Sequence, residues 1–214
     1  MSNRRRIEPT TTRSKIYRIL AAAFSSPRPE TINVYGNLLE TYSALQTTED
    51  PPEERDASEN TNPTALAKEH LRLFVGPGHI PCAPYEAVHR KDRPAFERGL
   101  VMGPSTAEVR RAYLAAGLEV SKTYTDLPDH IAAEMEFMHF LCAEEARFEK
   151  EGNRQGAEKM KGMQVEFHKK HLEPWVEDFA DCVLRSTTSP FYKAAANVLK
   201  QFVKREADYL GAAG

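Results

Sequence analysis

The sequence has no apolar run long enough to span a bilayer, no Cys-x-x-Cys pair, no phosphate-cradling glycine motif and almost no excess charge. Each absence removes a class of protein. A spanning helix needs about 20 consecutive apolar residues, and the stretch Ile16 to Phe24 is short and broken by Arg18, so stable membrane insertion is not expected. The three cysteines, Cys82, Cys142 and Cys182, form no close pair and leave an odd count. That argues against a disulfide framework or a zinc ribbon and favours a reduced, cytoplasmic protein. Neither G-x-x-x-x-G-K-[ST] nor G-x-G-x-x-G occurs, so a standard phosphate cradle is missing. A formal net charge of −2 excludes nucleic-acid binding through bulk charge. Arg4, Arg5 and Arg6 invite comparison with an export signal, but Glu8, Pro9 and three threonines follow where an apolar stretch would be required.

What is present is helical periodicity. With 41% hydrophobic and 28% charged residues over 214 positions, the chain suits one globular domain that needs no cofactor to hold it together. Apolar residues recur three and four apart in segments with helix starts, and no stretch alternates strictly, so the pattern predicts an all-α, bundle-like domain of about eight helices over residues 1–214. Helices are expected over about 12–24, 31–45, 63–74, 105–116, 128–150, 153–171, 174–184 and 190–210. Asn62-Pro63 reads as a cap followed by a first-turn proline, and Ser105-Thr-Ala-Glu108 as a capping box. In the helix from 128, an apolar stripe at 131, 135, 138 and 142, widened by 137, 141 and 148, marks a central, heavily buried element. Two segments break the pattern. Residues 47–60 are acidic and proline-bearing, as an exposed loop would be, and residues 76–94 hold prolines and glycines that force an irregular backbone.

Catalytic chemistry has few candidates. Glu86-Ala-Val-His89 and Glu136-Phe-Met-His139 share the Glu-x-x-His spacing with which helical bundles hold two iron ions, and a helical metal-dependent enzyme is the alternative reading. The context opposes it, because Pro84 and Pro94 leave no room for a long helix around Glu86. His168-x-x-His171 could bind a metal, yet Lys169 and Lys170 between the histidines suggest a solvated face. The expectation is therefore a protein that is not an enzyme and carries no cofactor or metal.

Three blocks point elsewhere. Leu71-Arg-Leu-Phe-Val-Gly-Pro-Gly-His-Ile-Pro-Cys-Ala-Pro-Tyr-Glu86 runs a helix ending in Leu-Phe into a Pro-aromatic-Glu turn. Leu127-Pro-Asp-His130 precedes Glu134-Met-Glu-Phe-Met138, and His171-Leu-Glu-Pro-Trp175 is followed by Phe179. In this order, over roughly residues 10 to 210, the set resembles the TorD/DmsD family of redox-enzyme maturation chaperones. The resemblance implies an all-helical cytoplasmic chaperone, monomeric or dimeric, whose partner is the twin-arginine signal peptide of the apo form of a molybdopterin-containing oxidoreductase subunit, held until cofactor insertion is complete. It also implies a peptide-binding surface at Leu73, Phe74, Pro84, Tyr85, Glu86, Asp129 and His130. The chemistry of these residues agrees with that role, since a peptide with arginines beside an apolar segment needs acidic groups beside an apolar groove.

Overall fold

The computed structural model describes residues 9–28, 34, 36–38, 40–41, 62–118 and 126–211. The expected acidic loop at 47–60 and the arginines at 4–6 lie outside them, as does much of the expected helix over 31–45, whose described positions are helical. The remaining helices are α1 (Thr10–Phe24), α2 (Pro63–His70), the short α3 (Glu86–His89), α4 (Pro104–Ala115), α5 (Ile131–Lys150), α6 (Arg154–Phe167), α7 (Val176–Ser186) and α8 (Pro190–Gly211). The architecture is all-α. α1 lies along α5, α5 against α6, and α7 against α8, with α3 wedged between α4 and α7.

The periodic stripe of α5 is buried as expected: Ile131, Met135, Met138, Leu141 and Cys142 are inaccessible, and Phe137 widens the buried face. Tyr17, Leu20 and Phe24 of α1, Phe179 and Val183 of α7, and Phe191, Tyr192 and Phe202 of α8 complete one continuous core. Burying each such side chain contributes about 1.5 to 3 kcal/mol before entropy is counted. Helix starts follow the sequence in part. Asn62 Oδ1 accepts the Thr64 N–H at 2.9 Å with Pro63 in the first turn. The capping box at Ser105 does not form, because the helix begins one residue earlier at Pro104 after Gly103, and Glu108 is drawn instead to Arg93.

Two helices end in a wider turn with i to i+5 hydrogen bonds, Leu71–Val75 and His168–Leu172, closed by Gly76 N to Leu71 O at 2.8 Å and Glu173 N to His168 O at 3.0 Å. Gly76 leaves the first of these at φ 98°, a conformation that a side chain resists. The chain then enters the irregular segment, which the structure fastens covalently: Cys82 and Cys182, 100 residues apart, are joined as a disulfide with a Cα–Cα distance of 5.8 Å. This corrects the expectation of unpaired thiols. Spacing rules detect cysteines that are neighbours in sequence, whereas the fold made these two neighbours in space.

Candidate functional site

The site forms where the irregular segment meets the entrance of α5. Ile131 N donates to Pro84 O and Glu86 N to Asp129 O, each at 2.9 Å, so Tyr85 and His130 pair across a short antiparallel bridge. Their rings meet edge to face at 5.5 Å. His130 caps α5 itself, its Nδ1 accepting the Ala132 N–H at 3.0 Å. That bond leaves Nδ1 without a proton in the neutral ring and puts the N–H on Nε2, which lies 3.8 Å from Asp126 Oδ2. Burial lowers the His130 pKa, so the neutral form is favoured. Tyr85 donates its hydroxyl to Asp126 Oδ1 at 2.8 Å, and burial together with this bond raises the Tyr85 pKa. The Asp126 side chain is 40% exposed. Tyr85, Asp126 and His130 thus make a rim with one accessible carboxylate.

Beneath the rim lies a layer of buried acids. Glu86 accepts from Arg90 Nη1 at 2.7 Å and from His171 Nδ1 at 2.9 Å, and Arg90 also reaches Lys170 O at 2.8 Å. Asp129 Oδ2 accepts the Ala87 N–H at 3.3 Å, capping α3 from a neighbouring element. Asp129 Oδ1 and both oxygens of Glu134 close no hydrogen bond. Burial, reinforced by Glu86 and Asp129, pushes the Glu134 pKa well above the carboxylate range, and burial raises that of Asp129. Burial therefore favours the neutral form of Glu134.

The structure places the residues of the expected peptide surface at different depths. Leu73 and Phe74 are core, Phe74 sitting among Phe24, His70, Phe179 and Tyr192. Pro84 is buried, and Glu86 and Asp129 are inaccessible and internally engaged, which leaves neither carboxylate open to a ligand. The adjacent apolar pair Leu73 and Phe74 lies within the wide turn Leu71–Val75, and both are buried there. Tyr85 remains partly exposed and His130 only marginally so. The accessible acid, Asp126, stands in the Asp126-Leu-Pro-Asp129 helix entrance. The family resemblance implies Asp129 instead, and no local pattern separates the exposure of the two acids. Next to this rim, Gly99 N bonds Ala87 O at 2.9 Å and brings an exposed apolar run to α3: Val88, Phe96, Leu100, Val101 and Met102.

The metal-like motifs separate in space. His89 Nε2 bonds Ala83 O at 2.8 Å and its ring stacks on Trp175, whereas His139 bonds Ser14 on α1 and Glu136 faces outward. His168 and His171 are buried rather than solvated: His168 reaches Val203 O and Glu173, and His171 reaches Glu86. Among the described residues no three His, Cys, Asp or Glu side chains converge as metal ligands. Nor is any described helix long and apolar enough to cross a membrane.

Comparison with known proteins gives a consistent family. Residues 36–181 match the model of the nitrate reductase delta subunit family. A perchlorate reductase assembly chaperone protein of Dechloromonas aromatica is 27% identical over 92% of this chain and 89% of its own length. The chaperone protein TorD of Shewanella pealeana is 24% identical over 68% of this chain, and the match spans 60% of that relative. A chlorate reductase assembly chaperone protein of Ideonella dechloratans is 26% identical over 68% of this chain and 70% of its own length. A structure solved for a candidate redox enzyme maturation protein of Archaeoglobus fulgidus aligns over 99% of both chains at 18% identity, with a TM-score of 0.48.

Proposed function

The chain belongs to the nitrate reductase delta subunit family, the TorD family of redox enzyme maturation, and from that premise we propose that it is a cytoplasmic chaperone, without catalytic activity of its own, for a molybdopterin-containing reductase. Its client contact is the arginine-bearing signal peptide of the apo subunit, bound at the rim of Tyr85, Asp126 and His130. The observation that carries this reading is the half-exposed Asp126 carboxylate, oriented by the Tyr85 hydroxyl and set beside an exposed apolar run. A guanidinium can engage such a carboxylate with two parallel N–H groups. The apolar stretch that follows the arginines is then matched by Val88, Phe96, Leu100, Val101 and Met102. Buried Glu86 and Asp129 act at one remove, one holding α3 to Arg90 and His171 and the other capping it.

The test is calorimetry with a synthetic peptide that bears two adjacent arginines ahead of an apolar stretch, and with its twin-lysine version. Asp126→Asn keeps the side-chain shape and lowers affinity for the arginine peptide roughly five- to tenfold, the size expected of a half-exposed charge pair. Lysine, a point charge without the fork, binds more weakly than arginine to the unaltered protein. Equal affinity of both peptides, unchanged by Asp126→Asn, rejects the rim. Failure to bind either peptide while a reductase subunit co-purifies with the chain rejects signal-peptide recognition and leaves the assembly role standing.

A further inference from the structure

We infer that Cys82 and Cys182 form a reversible dithiol–disulfide site through which oxidation fixes the Pro81–Glu86 segment of the candidate site to α7. The functional consequence rests on the reading above, whereas the redox chemistry stands on the geometry of the pair. The Cα–Cα distance of 5.8 Å is in the middle of the range for disulfides, so the bond forms without backbone movement. On reduction the two sulfurs must move apart, and each has an acceptor close by. Cys182 Sγ lies 3.1 Å from Pro81 O and Cys82 Sγ 3.4 Å from Ser186 Oγ, giving each thiol an acceptor. A pair that closes without backbone movement and finds acceptors beside each sulfur when open is suited to interconvert.

Access sets the order of events. Cys82 is fully buried and Cys182 half-buried, so exchange begins at Cys182. Its thiolate attacks one sulfur of oxidised glutathione and releases one glutathione thiol. Cys82, as thiolate, then attacks the Cys182 sulfur and expels the second. The two cysteine thiols lose two protons and two electrons, and glutathione disulfide leaves as two glutathione thiols. Cys142 stays outside this chemistry, being buried with its thiol pKa pushed up to about 12.

The bond acts where the backbone is weakly held. Pro81 and Pro84 have no N–H to donate, and the segment between them is tied by Cys82 N to Leu73 O at 3.1 Å and by Ala83 O to His89 Nε2 at 2.8 Å. Tyr85, which orients Asp126, follows Cys82 by three positions. The Cys182 end lies near the point where Arg72 reaches Ser186 O at 2.6 Å. Closing the disulfide therefore converts a proline-bounded strap into one anchored at both ends.

The experiment uses the full chain equilibrated in glutathione buffers from fully reduced to fully oxidised, trapped with acid, and assayed for thiols after denaturation. Expected are three free thiols in the reduced form and one in the oxidised form, with the Cys82–Cys182 peptide identified by mass spectrometry. Amide exchange across residues 79–90 slows at least tenfold on oxidation of the unaltered protein and is unchanged in Cys182→Ser. Three thiols in every buffer, a bond that native protein cannot release to reduced glutathione, or exchange that ignores the oxidation state each overturns the proposal. Titrating the twin-arginine peptide into the same samples separates the two readings. An affinity that differs at least threefold between oxidation states supports both, whereas absence of binding in either state counts against the peptide rim and leaves thiol counts and exchange to decide the redox site.

Discussion

Two buried charge clusters in this domain differ in how completely they are answered. In the first, Arg13 of α1 meets Glu206 of α8 through Nε at 2.8 Å and Nη2 at 2.7 Å, Tyr17 donates to the same carboxylate at 2.9 Å, and Gln164 bridges Arg13 to Glu145. Both oxygens of Glu206 are used, and burial of the partners is nearly complete, while Arg13 Nη1 closes no hydrogen bond and stands 3.7 Å from Glu145. The second cluster sets Glu86, Asp129 and Glu134 against Arg90 and His171, and three of its carboxylate oxygens close no hydrogen bond. A network of matched charges serves to clamp helices, here α1 to α8. The acid-rich one is answered only in part, and the carboxylate a cationic visitor meets is Asp126 on the rim above it.

The largest effect that separates the clusters comes from Arg13→Ala. It strands Glu206 and Glu145 in the core, and breaking a buried pair from one side costs about 3 to 5 kcal/mol. Urea unfolding should show that loss, while affinity for an arginine peptide, measured where the variant remains folded, should not change. The double replacement Arg13→Met with Glu206→Leu should recover part of the stability, because it removes the stranded charge as well as its partner. A loss below about 1 kcal/mol for Arg13→Ala would mean that the clamp is not a clamp.

Next in size is a pH effect at the border of the rim. His70 is buried beside Phe74 and Tyr192, feels His130 and Asp126, and has its pKa lowered from 6.5 to about 4, chiefly by burial. A depressed folded-state pKa means that the unfolded chain takes up the proton first as pH falls. Stability contributed through His70 is therefore full above about pH 6.5 and is lost progressively toward about pH 4. Between about pH 7.5 and about pH 5 the unaltered protein should lose about 2 kcal/mol more than His70→Gln does, as read from unfolding curves at each pH. Parallel curves for the two proteins would place the titration elsewhere in the molecule.

These contrasts also show what could be read from the chain. Helix positions, the central stripe of α5 and the cap at Asn62 were legible because periodicity and caps are local properties. Arg13 was not. Nothing local marks it as buried, and only the return of α8 with Glu206, 193 residues later, makes it a core residue. Glu86 and His171 failed in the same way, since each looked exposed or ligand-like alone and is buried by the other. The convergence of the Pro84-Tyr85-Glu86 turn with Asp129-His130 was anticipated, but which of those side chains face water was not. Exposure depends on the wide turns and on the 76–94 path, which no period describes.

The smallest expected effect is the most discriminating. Asp129 and Asp126 flank the same Leu-Pro step, and the family resemblance implies Asp129 as the arginine ligand. The structure makes Asp129 an inaccessible cap of α3 and Asp126 an exposed member of the rim. Asp129→Asn retains an oxygen for the Ala87 N–H and replaces an acid, whose charged form burial disfavours, with a neutral amide. Because its folded-state pKa is raised, the carboxyl costs stability as pH rises above its unfolded value of 3.8, so the Asn variant should be equal or slightly more stable at neutral pH, within about 1 kcal/mol. Peptide affinity should stay within about twofold, against the five- to tenfold loss for Asp126→Asn. If the order is reversed, and Asp129→Asn weakens arginine binding while Asp126→Asn does not, the helix entrance must open on binding and the buried acid, not the rim, is the ligand.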